Sequence, residues 1–172
     1  MPVMGGDPAG GVAVALLGPV EIGPAGGVMA PVAQPRLRVL LGLLGVTEGR
    51  VVTAEALVDG LWGEEWSPGR ERNLHALVYQ LRRRLAALEP DKGGARLARA
   101  GAGYRLTLGP GELDVAVFRD LAQLGREAAR AGDAAGRGSC WARLWGCGGG
   151  RRWRMRRRCA RGWPARRPGW KS

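Results

Sequence analysis

The sequence predicts an α+β fold: a small antiparallel sheet, then three helices, then a β-hairpin. Three observations carry this. Short apolar runs separated by Gly/Pro turns open the chain. Three stretches with apolar residues at three- and four-residue spacing come next. Two short runs then flank Gly101-Ala102-Gly103. With 172 residues, 45% of them hydrophobic, the chain is long enough for one domain with a core plus an appendage.

Residues 12–17, 20–22 and 28–32 read as strands, joined by turns such as Gly18-Pro19. Pro35 opens the first helix, where its missing N–H costs nothing, and Leu37, Leu40, Leu41 and Leu44 make the apolar stripe. Thr53 is the N-cap of the second helix, whose inner face is Ala56, Leu57, Val58, Leu61 and Trp62. Ser67-Pro68 reads as the start of the third helix. Leu74, Leu77, Val78, Leu81, Leu85 and Leu88 repeat along it until Glu89-Pro90 ends it. Residues 95–100 and 104–108 form the hairpin, Gly109-Pro110-Gly111 a linker, and residues 113–131 a further amphipathic helix. Two helices, a long basic helix and a hairpin, in that order, make a helix-turn-helix with a C-terminal wing.

Charge must be located before it means anything. The formal net charge is +12, yet residues 137–172 hold eleven arginines, Lys171 and no acid. Residues 1–136 carry fifteen basic and fifteen acidic residues. Nucleic-acid binding therefore rests on clustering and not on bulk charge. The third helix supplies the cluster: its outward face bears Arg72, Asn73, Ala76, Tyr79, Gln80, Arg83 and Arg84, with Glu71 its only acid before Leu88. Asparagine and glutamine pair with adenine edges, arginine with guanine or phosphate, and tyrosine reaches phosphate or a thymine methyl. Arg96, Arg99 and Arg105 on the hairpin suit an adjacent backbone or minor groove. A solvated amphipathic helix would share the arginines, but not a basic hairpin directly after it. His75, the single histidine, borders the apolar stripe and reads as a packing or water-bonded residue.

Other chemistries find no support. No paired carboxylates, serine–histidine arrangement or phosphate-cradling loop occurs, so no catalytic residue and no cofactor are expected. Cys140, Cys147 and Cys159 lack a Cys-x-x-Cys pair or a neighbouring histidine, which disfavours a metal site. The longest apolar run falls short of the roughly 18 residues a membrane span needs, and the first residues lack a basic leader. A cytoplasmic protein with no membrane partner is expected.

Residues 50–62 (RVVTAEALVDGLW), 73–85 (NLHALVYQLRRRL) and 103–106 (GYRL) resemble the AfsR/SARP family of bacterial transcriptional activators. Residues 113–133 (LDVAVFRDLAQLGREAARAGD) resemble the start of that family's second domain. The resemblance implies an OmpR-type winged helix followed by an all-α, TPR-like bacterial transcriptional activation domain. It implies binding of promoter direct repeats in double-stranded DNA as a homodimer, and contact with RNA polymerase. Carried over, Asn73, Tyr79, Gln80, Arg82 and Arg83 lie on the DNA-facing helix and Arg99 near the wing. Tyr104 is then structural, and the loop with Glu64, Glu65 and Trp66 contacts polymerase. The family often has threonine before the hairpin tip, where this chain has Arg99-Ala100.

The expected organisation is a disordered N-terminus (1–11), a winged-helix domain (12–110), the first helix of a truncated activation domain (111–136) and a disordered basic tail (137–172). The tail holds five of seven tryptophans and all three cysteines, residues favoured when G/C-rich codons are read out of frame. One G/C-rich codon choice for 137–155, read from its third base, contains Leu-Gly-Leu-Trp-Arg-Gly-Pro-Ala-Leu, as the family's second domain would. We read the tail as out of frame; the rival is a genuine basic arm that adds nonspecific phosphate affinity. For the whole, the leading expectation is a pathway-specific activator. The alternative is a protein-interaction module that works through residues 113–131.

Overall fold

The computed structural model describes residues 11–63 and 69–133. The expected polymerase-contact residues Glu64, Glu65 and Trp66, the Ser67-Pro68 helix start and the 137–172 tail lie outside the described residues.

Two three-stranded antiparallel sheets bracket the helices. The first holds β1 (Val12–Ala15), β2 (Glu21–Pro24) and β3 (Ala30–Pro31), in that order. All four residues of β1 are buried, which explains an apolar run without alternation. Helix α1 (Pro35–Val46) comes next, begun by its proline and buried through Leu37, Leu40, Leu41 and Leu44. Helix α2 (Ala54–Trp62) starts as expected: the Thr53 hydroxyl accepts from the Ala56 amide at 3.1 Å. Helix α3 runs over Arg70–Leu88, with Gly69 as its N-cap at φ 98°, a left-handed conformation that glycine adopts freely. Sequence alone sets the start of this helix two residues earlier.

Beyond α3, residues expected to enter a strand directly first make one helical turn, α4 (Gly93–Arg96). Strands β5 (Leu97–Ala100) and β6 (Gly103–Leu106) then form the hairpin, with Leu97 opposite Leu106 and Arg99 opposite Tyr104. A strand that sequence periodicity did not reveal, β4 (Val52–Thr53), pairs with the far side of β6, giving the order β4-β6-β5. The pairing requires glycine at 103, because a Cβ there would lie 2.0 Å from the Val52 carbonyl oxygen.

One core joins these parts. Val12, Val14, Ile22 and Val32 from the first sheet meet Leu37, Leu40, Leu41 and Leu44 of α1, Leu57 of α2, and the apolar stripe of α3. Leu97, Tyr104 and Leu106 close it from the hairpin. Five α3 side chains are buried (Leu74, Leu77, Val78, Leu81, Leu85), each stabilising the domain by about 2 kcal/mol relative to exposure. That grip leaves the opposite face of α3 free of packing duties.

The last helix, α5 (Asp114–Arg130), is not joined by a slack linker. The backbone before it runs beside β1: the Val14 amide donates to the Glu112 carbonyl at 2.7 Å, and Val14 bridges Leu113 in parallel. Asp114, buried at the head of α5, accepts from the amides of Leu16 and Leu17 at 2.8–2.9 Å. The Glu112 carboxylate accepts from the amides of Gly109 and Val12. Arg119 on α5 also pairs with Glu48 at the surface.

Candidate nucleic-acid interface

The outer surface of α3 is where the expected site residues gather. Arg72, Ala76, Tyr79 and Arg83 are exposed and recur at three- and four-residue spacing, so they line the middle of that surface. Tyr79 is 62% exposed, a large ring left mostly to solvent. Asn73, Gln80 and Arg84, all exposed, lie along one flank. The other flank turns toward the hairpin and holds His75 and Arg82. Six of the seven expected DNA-contact residues, Arg72, Asn73, Tyr79, Gln80, Arg83 and Arg99, are exposed.

Arg82 is the seventh, and it is only partly exposed. Its Nε donates to the Leu97 carbonyl at 2.8 Å, so the guanidinium leans on β5 and ties the helix to the hairpin. This bond fixes the angle between the two basic elements. Helical spacing alone could not reveal it, because the acceptor is a backbone oxygen fifteen residues away.

On the hairpin, Arg99 and Arg105 are exposed but leave opposite faces. Residues opposite one another on paired strands share a face. Arg99 therefore shares the α3-facing side with Tyr104, Leu97 and Leu106, while Arg105 stands with Ala98 on the outer side. Tyr104 is buried, as its structural role required, and meets the His75 ring edge-on at 6.5 Å between centroids. His75 itself is exposed.

Arg96 corrects the sequence reading, which set it beside Arg99 and Arg105 as a backbone contact. It is turned inward between two carboxylates. Its Nε donates to Glu89 at 2.5 Å, and its terminal nitrogens donate to Glu112 at 2.6 and 3.0 Å. The Arg96 hydrogen bond holds the Glu89 carboxyl below the ordinary carboxylate range, against burial, which pulls the other way. The same bond holds the guanidinium above its ordinary value. Arg96 thus joins the end of α3, the base of the wing and the approach to α5.

Near the start of α3, Arg70 donates to the Gly63 carbonyl at 3.1 Å, which helps hold the ends of the α2–α3 connection together. Trp62, expected in the core, packs against its edge with the Arg36 guanidinium 5.5 Å above its ring. No described helix is long and apolar enough to cross a membrane.

Comparison with known proteins agrees with this architecture. Residues 32–106 match the family described as "Transcriptional regulatory protein, C terminal". The transcriptional regulatory protein EmbR of Mycobacterium tuberculosis is 35% identical over 120 residues, which is 68% of this chain and 30% of that protein. The regulatory protein AfsR of Streptomyces coelicolor is 36% identical over 128 residues, 74% of this chain and 12% of the relative. A solved structure of M. tuberculosis EmbR in complex with a low-affinity phosphopeptide superposes with a TM-score of 0.72 at 27% identity. That likeness covers 81% of this chain and 36% of the EmbR chain. The match begins at Val32, before α1, and ends at Leu106, the last residue of the wing, so it takes in the surface described above. The chain belongs to the AfsR/SARP-type transcriptional regulators, a family of regulators and not of enzymes, and α1–α3 with the hairpin form that family's OmpR-type winged helix.

Proposed function

We propose that the chain binds promoter DNA in the cytoplasm, with α3 in the major groove and the hairpin against the neighbouring backbone. One observation carries the reading: every large apolar side chain of α3 from Leu74 to Leu85 is buried except Tyr79, which stands outward between Arg72 and Arg83. A helix about 10–12 Å across matches a major groove about 12 Å wide. The inner stripe fixes the helix to its domain and the outer one offers donors to base edges and phosphates. Arg99 and Arg105, on opposite faces of the wing, suit phosphates on either side of it.

Following the family resemblance, we further propose activation from direct repeats by a homodimer, with Glu64, Glu65 and Trp66 contacting RNA polymerase. These three residues lie between the end of α2 and the start of α3, outside the described residues. Their role is separable from DNA binding. Glu64→Lys with Glu65→Lys should lower transcription from a target promoter while leaving promoter occupancy unchanged. Equal loss of occupancy and transcription would reject the polymerase contact.

The DNA reading is tested by affinity of the full chain for a duplex recovered by in vitro selection. Tyr79→Ala and Arg83→Ala should each weaken binding, and Arg126→Ala on α5 should not. Wild-type affinity unaltered in both α3 variants would remove this helix from recognition. The interaction-module alternative, through α5, would then lead.

A further inference from the structure

We propose that Glu112 is a positioning residue for the wing, holding the hairpin at the angle from which Arg99 reaches DNA; this rests on the DNA-binding reading above. Each of its two carboxylate oxygens accepts one bond from Arg96 and one from a backbone amide. Oε2 accepts from the Arg96 guanidinium at 2.6 Å and from the Gly109 amide at 2.5 Å. Oε1 accepts from the other terminal nitrogen of Arg96 at 3.0 Å and from the Val12 amide at 3.2 Å. The carboxylate therefore ties the guanidinium both to the segment after the hairpin and to the first strand of the N-terminal sheet.

Arg96 immediately precedes β5, and its own bonds span the base of the hairpin. Its carbonyl accepts from the Thr107 amide at 2.8 Å, and its guanidinium donates to the Thr107 carbonyl at 3.4 Å. One residue further on, the Leu97 carbonyl accepts from Arg82 of α3. The base is thus held from two sides: by α3 through Arg82 and the Glu89 that follows it, and by the N-terminal sheet through Glu112. Arg99 stands on the same four-residue strand, so a small rotation at the base carries its guanidinium out of hydrogen-bond reach of a phosphate. Arg96 and Glu112 are both mostly shielded from water, where salt and solvent weaken an ion pair little. Val12 and Glu112 lie outside the matched residues 32–106, so that stretch does not carry the whole support of its own wing.

A double-mutant cycle on the full chain tests this, read as affinity for a fluorescein-labelled duplex obtained by in vitro selection. Arg99→Ala should cost the wild-type chain about three- to tenfold in affinity, and the Glu112→Gln chain about twofold or less. Tyr79→Ala, on α3, should cost both chains the same. Ratios within each background are compared, because Glu112→Gln also removes a negative charge and frees Arg96. The arginine-rich tail is common to all the chains and cancels. In the free protein the Thr107 amide should exchange at least about threefold faster in Glu112→Gln than in wild type, while the α3 amides keep their protection. If the Glu112→Gln chain does not fold, Glu112→Asp takes its place: one methylene shorter, its carboxylate cannot reach all four donors. An equal cost of Arg99→Ala in both backgrounds, or an equal shrinkage of the Tyr79→Ala cost, overturns the inference alone. If wild type does not bind duplex, or binds it unaffected by both Arg99→Ala and Tyr79→Ala, the DNA-binding reading falls and takes this inference with it.

Discussion

Tyr79 and its neighbours show how one residue's placement assigns a role. The leucines on either side of it are buried, so its exposure follows from helical geometry and not from a weak core. Replacing it with alanine should leave thermal stability within about 0.5 kcal/mol, as for other exposed positions. Affinity for a selected duplex should fall by about 1–3 kcal/mol, measured by fluorescence anisotropy. Arg99 carries a different expectation. A phosphate contact is not sequence-reading, so Arg99→Ala should weaken specific and nonspecific duplexes alike and reduce the salt slope by about one. At this scale the candidate site was legible in the sequence, because the period of α3 alone puts Arg72, Asn73, Tyr79, Gln80 and Arg83 outside. Arg96 was misread, and the tie from Arg82 to β5 missed, for the complementary reason. An arginine's position says that it is basic, but not whether a carbonyl or a carboxylate waits for it across the fold.

Arg96 governs the relation between elements. Its side chain is 15% exposed, against 9% for Glu89 and 12% for Glu112, so its removal strands two carboxylates in a poorly hydrated place. Arg96→Gln should destabilise the domain by about 3 kcal/mol in urea melts. The pH dependence has a sign. Arg96 lowers the folded-state value of the Glu89 carboxyl, so the pair's contribution is complete above the unfolded carboxylate value of about 4.3 and is lost as pH falls through the folded one. Wild-type stability should therefore drop below about pH 4, and that drop should be shallower in the Arg96→Gln chain. Helices α1, α2, α3 and α5 were readable from the chain because each repeats an apolar period, while the single turn α4 has none. Strand β4 was not, since two residues, Val52 and Thr53, carry no period, and only the close approach of Gly103 reveals them.

The molecule as a whole has α5 bonded to the N-terminal sheet. The sequence shows a glycine–proline stretch where the fold has a joint, because hydrogen bonds that Asp114 and Glu112 accept from amides about a hundred positions earlier leave no local signature. Asp114→Ala should leave the Leu16 and Leu17 amides without their acceptor. Their hydrogen exchange should accelerate and the 109–111 segment should become open to protease, while the α3 amides stay protected. The central claim, however, concerns the other side of the domain, and an NMR titration of the full chain with a selected duplex tests it most directly. Amide shifts should move along α3 from Arg72 to Arg84 and in the hairpin around Arg99 and Arg105. Changes confined to α5, with the outer surface of α3 silent, would contradict the account.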